Sequence, residues 1–200
     1  MRKNVKKVWY ELKEHAPFTA LATGGAVFIV LFIHYGLKLT VSEDIFHLFH
    51  FSHIIVSAMV TAGLFYKYRK SLPTAILIGV LGAVLIGSLS DVIFPFLAST
   101  ILGLEIHFHL PLIEESFFVL SFALLGASIG VATMVTKSPH FIHVFLSVFA
   151  SLFYLMVFSS VFTLGYFLIA FFIVFIAVVI PCCLSDIVFP FLFIPSKKDR

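Results

Sequence analysis

The chain has 200 residues, of which 61% are hydrophobic and 12% are charged, and it contains 26 phenylalanines. A soluble domain of this length cannot bury so much apolar surface, so the composition excludes a soluble enzyme and predicts an integral membrane protein. The formal net charge of +3 indicates no nucleic-acid partner, because the basic residues follow the pattern expected of membrane topology.

Six segments are apolar and long enough to cross about 30 Å of hydrocarbon as helices. In chain order they are residues 18–37, 45–66, 72–97, 112–135, 141–162 and 164–194. The predicted fold is therefore all-α and polytopic, with six transmembrane helices in contact with membrane lipids.

The basic residues predict the orientation, because lysine and arginine in short loops stay on the cytoplasmic side. In this topology twelve of the 13 lysines and arginines lie on one side, and only Lys38 lies on the other. Both termini are therefore predicted to be cytoplasmic, in a plasma or inner membrane.

Two sequence phrases occur twice. LSDVIFPFL at 89–97 returns as LSDIVFPFL at 184–192, and HFSHIIVS at 50–57 returns as HFIHVFLS at 140–147. This repetition predicts two related halves of three helices each. Because three is odd, the second half is expected to enter the membrane from the opposite side, as in inverted-topology repeats of transporters.

The repeats divide the chain into five predicted segments. They are a cytoplasmic basic segment 1–17, a first repeat 18–97, an extracytoplasmic loop with histidine and glutamate 98–111, a second repeat 112–194, and a cytoplasmic basic tail 195–200. A fainter echo between ELKEHAPF at 11–18 and PLIEESFF at 111–118 places acidic residues where the first and fourth helices begin.

The repeated phrases hold most of the ionisable side chains expected inside the membrane. His50 and His53 fall on one face of a helix, and Pro95 follows Asp91 by four residues, which predicts a kink and a free Asp91 carbonyl. The predicted outer cluster, which could bind a metal ion, comprises His50, His53, Asp91, Glu114 and Glu115. The predicted inner cluster comprises His140, His143, Asp186, Glu14 and His15.

Two further groups of histidines have weaker predictions. The loop residues Glu105, His107 and His109 are candidates for capturing an ion on its way to the outer cluster, although exposed histidines are common. His47 extends the stripe of His50 and His53, and a hydrogen bond between helices is the more ordinary role for it.

Imidazoles combined with carboxylates suit a divalent ion such as zinc, manganese or iron(II). The same groups suit proton transfer, since histidine titrates near neutral pH. The segment EESFFVL resembles the opening of the glutamate motif of intramembrane CAAX-type proteases, but Val119 stands where that motif has arginine.

The preferred functional prediction is a small secondary transporter or channel-like carrier of a cation, either a divalent transition metal or a proton. One alternative is a metal-dependent membrane enzyme that acts on a lipid. Another is a structural subunit of a membrane complex. The sequence also leaves a homo-oligomer open.

Overall fold

The computed structural model describes the backbone of residues 2–134, 138–159, 163–182 and 189. It describes the side chains of 16–134, 142–159, 163, 165–181 and 189. Within these ranges the chain is helical, and the only strand-like pairing is an isolated bridge between Ile106 and Ser159. The all-α prediction is confirmed for this part of the chain.

Eight α-helices follow one another along the described chain. They are α1 (Arg2–Leu31), α2 (Glu43–Tyr68), α3 (Leu72–Ser88), α4 (Phe94–Ile101), α5 (Pro111–Glu114), α6 (Ser116–Thr133), α7 (Ser138–Phe158) and α8 (Leu164–Ala177). Three π-helical turns continue or join them, at Phe32–Gly36, Leu89–Ile93 and Val178–Cys182. The predicted fourth helix is thus split, because Glu115 leaves the helical conformation with φ −130° and ψ 35°.

Four helices are long and apolar enough to cross a membrane: Ala16–Gly36, Glu43–Tyr68, Leu72–Ile101 and Ser116–Thr133. Two shorter apolar helices occupy Ile142–Phe158 and Gly165–Pro181. Large apolar side chains such as Leu21, Phe28 and Phe117 are more than 70% exposed, as expected of a surface that faces lipid. The fold is that of a membrane protein, while six spans and inverted repeats stay predictions.

Helix α2 lies at the centre and packs against α3, α6 and α7. Its approach to α6 is close because Gly126 and Gly130 present bare backbone to the carbonyl oxygens of Ile55 and Met59. Small residues at this spacing let two helix backbones meet directly. The position of α2, which bears the buried His50 and His53, is therefore fixed by glycines on its neighbour.

The repeated LSD phrase forms the π-helical turn Leu89–Ile93 between α3 and α4. The Phe94 N–H bonds to the carbonyl of Leu89, five residues earlier. In that register Pro95, which has no N–H, leaves the carbonyl of Ser90 without its backbone donor. The hydroxyl of Ser151 donates to this carbonyl at 3.1 Å. The carbonyl that accepts from a side chain at this turn is thus that of Ser90, one residue before the predicted Asp91.

Candidate metal centre and buried histidine cluster

Two polar clusters lie along α2. We call the first the rim cluster; it comprises Glu43, His47, His109, Glu114 and Glu115. We call the second the buried cluster; it comprises His50, His53, Asp91, Ser90 and Ser147. Since an α-helix rises about 1.5 Å per residue, Glu43 and His53 are separated by about 15 Å along the axis.

The rim cluster begins with residues on the first two turns of α2. Glu43 opens the helix, where a carboxylate is stabilised by the free N–H groups of the helix N-terminus. His47 is one turn further on and shares the same face. Both side chains point to His109, whose Nε2 lies 3.0 Å from the Nε2 of His47 and 3.7 Å from Oε1 of Glu43.

The loop before α5 is held by α7, and this anchoring places His109. The His107 N–H bonds to the carbonyl of Phe158 at 2.8 Å. The hydroxyl of Tyr154 accepts a hydrogen bond from the His109 N–H and donates one to the His107 carbonyl, each at 3.4 Å. His109 is consequently buried, with only 5% of its surface exposed, whereas His107 stays exposed.

Glu43, His47 and His109 could hold a metal ion, because one ligand atom from each lies within 4.8 Å of the others. The third distance among these ligand atoms, from His47 Nε2 to Glu43 Oε1, is 4.0 Å. Ligands of a tetrahedral zinc ion lie about 3.3 Å apart, given bond lengths near 2.0 to 2.1 Å. Small side-chain movements would therefore bring all three atoms to bonding distance.

Glu114 and Glu115 lie behind the two rim imidazoles. Glu114 Oε2 accepts a hydrogen bond from His109 Nδ1 at 2.8 Å, and Glu115 Oε1 lies 3.5 Å from His47 Nδ1. Carboxylates in this position fix the tautomer of a metal-binding histidine and make its other nitrogen a better ligand. Glu114 and Glu115, predicted as ligands, thus face the imidazoles of the candidate site and are not part of the converging group itself.

The carboxylate of Glu114 is held in its charged form. The Leu110 N–H donates to Glu114 Oε1 at 3.0 Å, and this bond lowers the pKa of Glu114 below its ordinary value, an effect to which His109 adds. An ionised Glu114 is the form that accepts from an imidazole N–H.

The buried cluster is organised around one carboxylate. Oδ2 of Asp91 accepts from His50 Nδ1 at 2.9 Å and from His53 Nδ1 at 2.6 Å. Its Oδ1 accepts from the hydroxyls of Ser90 at 2.8 Å and Ser147 at 3.0 Å. The predicted association of His50, His53 and Asp91 is therefore observed, and four donors surround a carboxylate that has no exposed surface.

The second repeat contributes to this same cluster. Ser147 comes from α7, and the ring of His143, on the same helix, stacks on His53 with centroids 4.5 Å apart. His143, predicted to belong to a separate inner cluster, thus lies against His53, because α7 packs directly on α2 at this level. The side chains of Glu14, His15, His140 and Asp186, predicted to form that cluster, lie outside the described residues.

Sequence reasoning missed Glu43 as a candidate ligand and assigned His47 an ordinary hydrogen bond between helices. The signal was the pair itself, a glutamate four residues before a histidine where an apolar helix begins. The partner His109 could not be assigned from the sequence, since only the fold of the loop distinguishes it from His107.

Comparisons with protein-family models, curated proteins and solved structures found no match for this chain.

Proposed function

We propose that this chain is a membrane carrier of a small cation, and that its rim cluster takes up a divalent transition-metal ion. The observation that carries the proposal is the convergence of Glu43, His47 and His109. Two imidazoles and one carboxylate form a ligand set suited to zinc, manganese or iron(II).

The form of the rim cluster favours an ion that exchanges. Closed structural zinc sites usually have four protein ligands, whereas three ligands converge among the described residues. Glu43 is 52% exposed, while His47 and His109 are 13% and 7% exposed. An ion could thus enter from the Glu43 side and retain a free coordination position.

The position of the rim cluster favours passage along α2. The next turns of the same helix present His50 and His53, which are fully buried and bonded to Asp91. Ionisable groups inside a membrane bundle are costly, and they commonly mark ion pathways or proton relays. The polar stripe on α2 thus continues from a half-exposed site into the bundle.

The free coordination position also supports a second candidate. Catalytic zinc sites hold three protein ligands and a water molecule that the metal activates. A metal-dependent membrane enzyme acting on a lipid is therefore the alternative.

Uptake of zinc into proteoliposomes that contain a trapped fluorescent zinc indicator tests the proposal. We expect the wild-type chain to transport zinc, and we expect His109→Asn and Asp91→Asn to lose most of that transport. His107→Asn is the matched control, since His107 is an exposed histidine of the same loop and does not belong to the rim cluster.

The outcome also separates the candidates. Zinc that binds to the wild-type chain and is never transported, together with turnover of a lipid, would favour the enzyme. Wild-type-like transport by His109→Asn would contradict the proposed role of the rim cluster.

A further inference from the structure

The two histidines of the buried cluster have the same hydrogen-bonding pattern. Each directs Nδ1 at the carboxylate of Asp91, and the Nε2 atoms of both are buried with no hydrogen-bond partner among the described residues. If Nδ1 has the hydrogen in a neutral imidazole, Nε2 has a free lone pair. The cluster therefore contains two buried nitrogen acceptors that are held in place by a single carboxylate.

In the part of the chain that the structure describes, these acceptors do not join a third ligand in a metal site. A divalent ion needs three or four converging ligand atoms, and among the described residues such convergence occurs only at Glu43, His47 and His109. A proton needs one lone pair only. The geometry of the buried cluster thus suits a proton better than a metal ion.

We infer that the buried cluster is a proton-binding site, in which Nε2 of His53 takes up a proton while its Nδ1 stays bonded to Asp91. This inference rests on the proposed function for its place in transport. With Asp91 ionised and both imidazoles neutral, the cluster has one negative charge. Uptake of one proton from water forms an imidazolium beside the carboxylate, and the net charge becomes zero. Pairing of this kind is what makes a buried charge tolerable.

We assign the proton to His53 because its Nδ1 lies nearer to Asp91 Oδ2, at 2.6 Å against 2.9 Å for His50, which places an imidazolium closer to the carboxylate. The ring of His53 stacks on the ring of His143, 4.5 Å away, whereas the ring of His50 is covered by Phe46 at 5.6 Å. In the part of the chain that the structure describes, the titratable groups that face His53 are His50 on α2, Asp91 on the π-helical turn and His143 on α7. Helices α3 and α6, which also pack on α2, contain no titratable residue.

Phe46 separates the buried cluster from the rim cluster. Its fully buried ring stacks on His50 and meets the ring of His109 edge to face at 6.1 Å. The two sites are therefore distinct, yet they are only about two helical turns apart along α2. A divalent ion at the rim and a proton at His53 repel each other across this short distance.

The repulsion links the two ligands. If metal at the rim cluster weakens proton binding at His53, a proton at His53 weakens metal binding by the same factor, and such factors are typically about 5- to 150-fold. The consequence for transport is exchange, in which arrival of the metal ion expels the proton from the buried cluster.

Nitrogen NMR of histidine-labelled, metal-free protein in detergent tests the site directly. We expect Nδ1 of His53 to be protonated throughout and Nε2 to change from unprotonated to protonated as the pH is lowered while the protein stays folded. The variant His53→Asn assigns the signal, because the asparagine amide can replace the Nδ1 donor to Asp91 but offers no Nε2. An Nε2 that never titrates would overturn the inference.

Calorimetric titration with zinc in buffers of different ionisation enthalpy counts the protons released per ion bound. We expect His53→Asn to bind zinc and to release fewer protons than the wild type, with His107→Asn unchanged. Equal release by His53→Asn and the wild type would overturn the link. If the wild type does not bind zinc but Nε2 of His53 titrates, the result would contradict the proposed function and would still support the proton-binding site.

Discussion

The rim cluster and the buried cluster use the same side chains in opposite ways. At the rim, each imidazole has a carboxylate of its own behind Nδ1, and the two Nε2 atoms meet at 3.0 Å. In the buried cluster, two imidazoles share Asp91 through Nδ1, and each Nε2 is left without a partner among the described residues. In the rim cluster the Nε2 atoms point towards each other, whereas in the buried cluster the Nδ1 atoms point towards one carboxylate.

This difference is the basis for proposing two kinds of cation site in one chain. Where the lone pairs converge beside an exposed glutamate, a divalent ion finds several ligands and a route from water. Where the shared group is a buried carboxylate, the four donors around it stabilise its charge, and the outward nitrogens can each accept a proton. Substitutions that affect one cluster and spare the other test this contrast.

The largest expected effect is on stability and belongs to the buried cluster. Asp91→Ala leaves two imidazoles and two hydroxyls without their acceptor, which we expect to lower the free energy of unfolding by about 3–5 kcal/mol. Asp44→Ala, at an exposed carboxylate on the first turn of α2, should change it by less than about 1 kcal/mol. Denaturant titration in detergent measures both. Equal stability of the two variants would contradict the assigned role of Asp91.

A smaller loss of stability is expected where α6 packs on α2, the helix that contributes to both clusters. In Gly130→Ala the new Cβ would overlap the carbonyl oxygen of Met59, pushing α6 away from α2 at a cost of about 1–3 kcal/mol. Gly25→Ala is the control, because a Cβ at Gly25 meets nothing within 4 Å. If α2 were held by other contacts, the two variants would unfold alike.

The rim cluster should respond in metal affinity more than in stability. Glu114→Gln removes the carboxylate behind His109 and keeps a side chain of similar size, so we expect zinc affinity to fall by about 10- to 100-fold. Glu105→Gln changes an exposed glutamate of the loop that contains His109, and it should bind zinc like the wild type. A loss shared by both variants would indicate a general effect of charge.

The smallest effect is on acid stability. The pKa of Glu114 is lowered in the folded chain by the Leu110 N–H and by His109, so its ionised form stabilises the fold above the ordinary carboxyl pKa. That contribution is lost as the pH falls through the lowered value. The wild type should therefore exceed Glu114→Gln in unfolding midpoint near neutral pH, and the difference should shrink on acidification. A difference independent of pH would exclude the ionised carboxylate as its source.

The sequence predicted much of the membrane fold and one of the two polar clusters. Apolar length revealed the helices, and the repeated phrases identified His50, His53 and Asp91 as associated residues. It did not place His143 beside His53, because hydrophobicity shows where helices begin and end but not which of them touch. It also missed Glu43 and underrated His47, since their convergence with His109 depends on a loop folded against α7.

X-ray absorption spectroscopy of the zinc-loaded protein tests the central claim most directly, because it reports the atoms bound to the ion. With Glu43, His47 and His109 as ligands, the spectrum should show two imidazoles and oxygen at about 2.0–2.2 Å, with no sulfur. The imidazole contribution should fall in His109→Asn and persist in His53→Asn. A spectrum with sulfur near about 2.3 Å, or one that His109→Asn leaves unchanged, would contradict the account.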